Sequence, residues 1–197
     1  MRHLAESIVR ALEKRQVITP SSDEREIYIY GFDIALYTLF STLGLLLLGL
    51  LLGYPMEALM MLSLFYVNQT LGGGFHASTH LSCFLVMCTG LVVFIMLLSL
   101  PLPKALSAIL GIGSLALLFT HPLILHKNKQ FLAPKGPLFI KRSRFALCIQ
   151  FILFMLLLAL SNAHYSQTFA VALAMCAASR MAAHWQRKGS SFLARHL

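Results

Sequence analysis

Apolar residues along this chain gather into six runs of 16 to 20 positions, parted by short clusters of glycine, proline and polar side chains. Ahead of them the pattern differs. Over residues 2–16, Leu4, Ile8, Ala11 and Leu12 recur at helical spacing, while Arg2, Glu6, Arg10, Glu13 and Lys14 fill the other faces. That periodicity predicts an amphipathic helix lying on a membrane surface. Thr19-Pro20-Ser21-Ser22-Asp23 reads as a turn and helix start, with Glu24 and Glu26 in the first turn.

The first apolar run, 34–52, stops at Gly53-Tyr54-Pro55, and the second, 56–71, at Gly72-Gly73-Gly74. The third, 81–100, is closed by Pro101-Leu102-Pro103, and the fourth, 105–120, by His121-Pro122. A polar stretch over 125–144 follows. The fifth run, 145–160, is turned by Ser161-Asn162-Ala163-His164, and the sixth is the Ala-rich stretch 167–183.

These runs predict an all-α, polytopic integral membrane protein with six transmembrane helices and an N-terminal amphipathic cytoplasmic helix. It reads as one domain: a cytoplasmic segment over 1–33, a transmembrane bundle over 34–183 and a basic cytoplasmic tail over 184–197. Several runs are nearer 16 than 20 residues, short for a hydrocarbon core of about 30 Å, so flanking residues or local thinning must help. Five spans is the competing count.

Composition narrows the class further. The chain is 58% hydrophobic and 12% charged, against about 45–50% and about 25% in soluble domains. That excludes disorder, collagen, a disulfide scaffold and a water-soluble enzyme. The four cysteines (Cys83, Cys88, Cys148, Cys176) form no CxxC pair, so no zinc knuckle is indicated.

Charge then orients the chain. All seven carboxylate side chains lie within the first 57 residues, while eleven of the sixteen Lys and Arg come later. The net charge of +9 is explained by basic cytoplasmic loops rather than by nucleic acid, which is not expected as a partner. With the N-terminus inside, segments 1–33, 72–80, 121–144 and 184–197 hold fourteen Lys and Arg, and the outer loops hold only Lys104. Both termini are therefore expected in the cytoplasm of a multi-pass cell-membrane protein.

The stretch from Asn68 to Cys83 carries the candidate chemistry. A turn needs one or two glycines; here a histidine follows three of them and a cysteine comes seven residues later. A thiol becomes a nucleophile only as its thiolate, which a neighbouring imidazole generates and stabilises. Seven residues along a straight helix separate His76 from Cys83 by about 10.5 Å, too far for a hydrogen bond. The glycines must therefore bend the chain. His80, three residues from Cys83, is the rival base on spacing alone. His76, His80 and Cys83 also have the spacing of metal ligands, but a fourth ligand is missing nearby. The plain alternative is a polar turn beside a buried cysteine.

Glu26-Ile27-Tyr28-Ile29-Tyr30-Gly31, the core Gly73-Gly74-Phe75-His76-Ala77 with Cys83, and the basic cytoplasmic loop resemble the accessory gene regulator B family of Gram-positive bacteria. These are integral-membrane cysteine endopeptidases that mature quorum-sensing pro-peptides. The resemblance implies His76 as base and Cys83 as nucleophile, in preference to His80. It implies cleavage of an AgrD-like precursor through a thioester on Cys83, then attack by an internal Cys or Ser to close a thiolactone or lactone ring. Where the family usually has Arg seven residues before the His, this chain has Gln69.

Oxyanion or substrate-orienting donors are expected from Gln69, Gly73 and Gly74. Lys127, Lys129, Lys135, Lys141, Arg142 and Arg144 form a basic loop suited to recruiting the precursor. The other partners expected are membrane lipid and, for a homodimer, a second copy of the chain. No metal or cofactor is expected. The competing function is a non-catalytic peptide exporter or channel, against which spans four and five contain no ionisable residue. A third reading, a structural partner, rests on Gly49-x3-Gly53 and the small residues of the sixth run.

Overall fold

The structure, a computed structural model, describes residues 1–75, 77, 79–120, 136–160 and 162–193, with 136 and 187–193 described by backbone alone. The described residues form seven helices and no strand: α1 (Arg2–Lys14), α2 (Ser22–Leu51), α3 (Pro55–Gly72), α4 (His80–Leu98), α5 (Lys104–Thr120), α6 (Gly136–Leu160) and α7 (Ala163–Leu193). They fall into two compact units, Met1–Leu48 and Gly49–Leu197.

In the first unit, α1 packs on the start of α2 through Ala5, Val9 and Ile29, with Ile18, Phe32 and Leu36 around them. This face lies one residue away from the apolar stripe expected from Leu4, Ile8, Ala11 and Leu12. Ala5 and Val9 are one helical turn apart and small enough to let α2 approach, so they are buried while Leu4 and Ala11 stay exposed. Ion pairs flank the contact: Arg2 with Glu26 at 3.0 Å and Arg25 with Glu13 at 2.9 Å. The turn starting α2 is closed by Ser21, whose N–H (2.8 Å) and hydroxyl (2.9 Å) both donate to Glu24. The Ser21 backbone bond and then its hydroxyl bond hold the Glu24 carboxyl below the usual range.

The second unit is built around α7, which packs against α3, α4, α5 and α6. From Ser166 to Leu173 every residue of α7 is buried. A helix buried all round is a core helix, and its alanines let neighbours come close. α5 answers with Ser107, Gly111, Ser114, Leu115 and Leu118 on one buried face. At Gly111 a Cβ would run into the Phe154 ring of α6, which stacks on Phe169 of α7 at 5.7 Å. Gly49 is likewise used within the chain, since a Cβ there would run into Ala58 of α3.

Among the described residues, three helices have the length and composition to cross a membrane: α2, α4 and α6 from Pro137, with α5 a shorter apolar helix. α3 and α7 are more polar, and the structure shows where that polarity goes. Asn68 Nδ2 donates to Gln150 Oε1 at 3.1 Å, and His164 pairs with Glu57 at 2.7 Å. Gln167 Nε2 donates to Leu100 O at 2.6 Å and Leu97 O at 3.2 Å. Polar groups inside a bundle are tolerated when they satisfy one another.

α6 begins at Gly136, nine residues before the expected span. Lys141, Arg142 and Arg144 therefore lie on its first turns rather than in a loop. No Gly or Pro interrupts 138–144, and Lys and Arg are good helix formers.

Candidate active site

α3 ends where three glycines follow one another. Gly73 takes φ 73°, a left-handed conformation that glycine adopts without penalty, and its N–H closes on Gln69 O at 3.1 Å. Gly74 is buried, and a Cβ there would run into the Gln69 side-chain amide. Gln69 thus lies directly beneath the turn. Its Nε2 donates to Ser179 Oγ of α7 at 3.2 Å, and the Phe75 N–H donates to the same oxygen at 3.2 Å. One serine of α7 holds both the side chain under the turn and the backbone leaving it.

The neighbouring residue on α7 closes the other side. A Cβ at Gly72 would run into the Arg180 guanidinium. Arg180 NH1 donates to Leu118 O in the last turn of α5 at 2.6 Å. The cation therefore stands beside the C-terminal ends of α3 and α5, where helix dipoles favour positive charge.

α4 starts with a reciprocal cap. Ser82 N–H donates to Thr79 Oγ1 at 3.1 Å, and Thr79 N–H donates to Ser82 Oγ at 3.3 Å. This cap fixes His80 as the exposed first residue of α4 and puts Cys83, half-buried, in the first turn. The Cys83 N–H bonds Thr79 O at 3.0 Å. First-turn amides and the dipole at this end favour an anion. All four cysteines are free thiols.

The structure thus brings Gln69, Gly73 and Gly74 together at one turn and sets Cys83 at the head of the next helix. His76 lies outside the described residues, as do Lys127, Lys129 and Lys135. Lys141, Arg142 and Arg144 are exposed at the start of α6, with the Arg144 guanidinium 5.4 Å from the centroid of the Phe119 ring.

Ser179, Arg180 and the Thr79–Ser82 cap are absent from the sequence-based site. The cap and Arg180 each carry a signal in the sequence. Thr79-x-x-Ser82 directly precedes an apolar run. Arg180 is the only Lys or Arg between 145 and 186, and a lone cation in an apolar helix marks a functional position.

No curated protein and no solved structure matches this chain. The family model described as accessory gene regulator B matches residues 5–181, from the packed face of α1 through the glycine turn and Cys83 to Arg180 of α7. With its apolar helices and a match of that extent, the chain is a membrane protein that belongs to the accessory gene regulator B family, whose role lies in autoinducer peptide processing.

Proposed function

We propose that this protein is a membrane cysteine endopeptidase that cleaves an AgrD-like pro-peptide and promotes its cyclisation into an autoinducing peptide. The observation that carries this reading is the placement of Cys83. It sits half-buried at the capped N-terminus of α4, seven residues after the histidine of the family motif. His76 takes the thiol proton, and the Cys83 thiolate attacks the peptide carbonyl. The C–N bond breaks, the tail leaves as an amine carrying the proton from His76, and the acyl group stays on Cys83 as a thioester. An internal Cys or Ser of the peptide then displaces Cys83, closing the ring without consuming water. Exclusion of water is what lets closure outrun hydrolysis, and a turn buried against α7 supports that exclusion.

In this reading α2 to α7 are six spans, with both termini cytoplasmic as the Lys and Arg distribution favours. The cations Lys127, Lys129, Lys135, Lys141, Arg142 and Arg144 face the cytoplasm and recruit the precursor by charge. Co-expression with the precursor, followed by mass spectrometry of the peptides, tests the function. The expected product is a ring-closed fragment one water lighter than the linear acid, appearing only with the intact protein. Finding only uncut precursor, or only linear acid, contradicts the processing role.

Gln69 offers a finer check. Its amide supports the turn through Ser179, so Gln69→Leu removes a hydrogen-bonding group and leaves Ser179 with one partner fewer. Cleavage by Gln69→Leu is expected to fall about tenfold in kcat/KM, a loss of about 1.4 kcal/mol. Wild-type kinetics in that variant would mean the side chain has no part in the site.

A further inference from the structure

We infer that Arg180 binds a carboxylate of the peptide substrate at the glycine turn, an assignment that rests on the peptide-processing reading. Arg180 is only 2% exposed, and a buried guanidinium is costly unless its charge and donors are met. Only NH1 is met, by Leu118 O; Nε and NH2 are buried and have no acceptor among the described residues. These two nitrogens form one edge of the guanidinium plane, whose paired N–H groups match the two oxygens of a carboxylate.

Among the described residues of the second unit, no carboxylate meets that edge. No Asp or Glu follows Glu57 in the sequence. Glu57 itself is paired with His164 and stands fifteen residues before Gly72 along α3, about 22 Å away at 1.5 Å per residue. The C-terminal ends of α3 and α5 offset the charge only in part.

The same edge faces the turn. Any side chain at position 72 would collide with Arg180 NH2, Cζ and Nε, so glycine is what lets the guanidinium lie against the end of α3. Gln69 Oε1, at the same turn, is buried and has no donor among the described residues. A peptide offers both a carboxylate for Arg180 and N–H groups for Gln69. A phosphatidylglycerol headgroup also offers an anion and hydroxyl donors, but the turn lies only eleven residues before Cys83, which favours the peptide as the source of the anion.

The test uses full-length protein carrying Cys83→Ala, so that no turnover occurs, in nanodiscs of phosphatidylcholine. The probes are two fluorescein-labelled synthetic peptides, each with a central cysteine followed by six residues. One contains two glutamates in that segment; its twin has glutamine at both. The glutamate peptide is expected to bind about tenfold tighter or more, the range of a charge-assisted pair. Adding Arg180→Lys, which keeps the positive charge but loses the paired edge, is expected to cut that preference to about twofold or less. Gly72→Ala, whose Cβ would push the guanidinium away from the turn, is expected to do the same. Size-exclusion profiles and thermal unfolding identify variants that have lost the fold.

Retention of the full preference by folded Arg180→Lys and folded Gly72→Ala would overturn the assignment. So would Arg180-dependent binding of phosphatidylglycerol with none of the glutamate peptide. Arg180-dependent preference for glutamate supports it even if Cys83 proves dispensable for cleavage, since that result would fault the nucleophile alone.

Discussion

Cys83→Ala and His76→Ala are each expected to lower precursor cleavage by about 10³-fold or more, while the protein still accumulates in the membrane. Without the sulfur there is no acyl acceptor. Without the imidazole the thiol stays protonated and the leaving amine goes without its proton. His80→Ala is expected to keep activity within about threefold, because His80 is the exposed first residue of α4 and no step assigns it a proton. Quantifying the released tail at matched protein levels separates these cases. Cleavage at the wild-type rate by Cys83→Ala would end the cysteine-peptidase reading. Loss in His80→Ala with activity kept in His76→Ala would move the base by four residues. Cys88→Ala, Cys148→Ala and Cys176→Ala serve as comparators and are expected to cleave normally, since each Cys sits in a helix as a small apolar residue.

The largest effect on stability is expected from Gln167→Leu. Gln167 is buried on α7, and its amide reaches Leu97 O, Leu98 O and Leu100 O at the end of α4. Its own carbonyl accepts the Leu102 N–H at 3.4 Å. One side chain therefore satisfies the carbonyls that α4 leaves open and tethers the Pro101–Pro103 turn to the core helix. Leucine has a similar volume but no donor, so several backbone groups would lose their partner in apolar surroundings. A loss of about 2–4 kcal/mol is expected, read in detergent as a fall in Tm of about 5–10 °C. An unchanged Tm would show that water or lipid replaces the amide at no cost.

Helix ends were legible wherever a local breaker set them. Gly53-Tyr54-Pro55 and Pro101-Leu102-Pro103 halt α2 and α4 within two residues of the expected positions, because Pro lacks an amide and Gly53 adopts φ 83°. The start of α6 is not legible because Lys141, Arg142 and Arg144 read as a loop, yet charge alone does not stop a helix. The face of α1 was displaced by one residue because Ala5 and Val9 matter for how closely a neighbour can approach, which hydrophobicity does not register.

The site divides in the same way. Gln69, the glycines and Cys83 stood out because they are contiguous and chemically unusual. Ser179 lies 110 residues from the Gln69 it binds, and no local pattern announces a contact at that separation. Arg180 was visible as a charge, but its meaning depends on the helix ends and on the glycine that surround it.

Burial of α7 on every side from Ser166 to Leu173 also bears on how the chain is made. Ribosomes deliver helices in order, and α7 comes after all four of the helices that pack on it in the second unit. Until it emerges, α3 to α6 have only their contacts with one another, such as the Asn68–Gln150 bond, and lack the core they share. Translation of the alanine-rich stretch is thus the moment at which these helices gain a common core. Quality control has a single segment to read: a chain stalled short of it lacks Ser179 for Gln69 and Gln167 for the end of α4, and a chain carried past it supplies both.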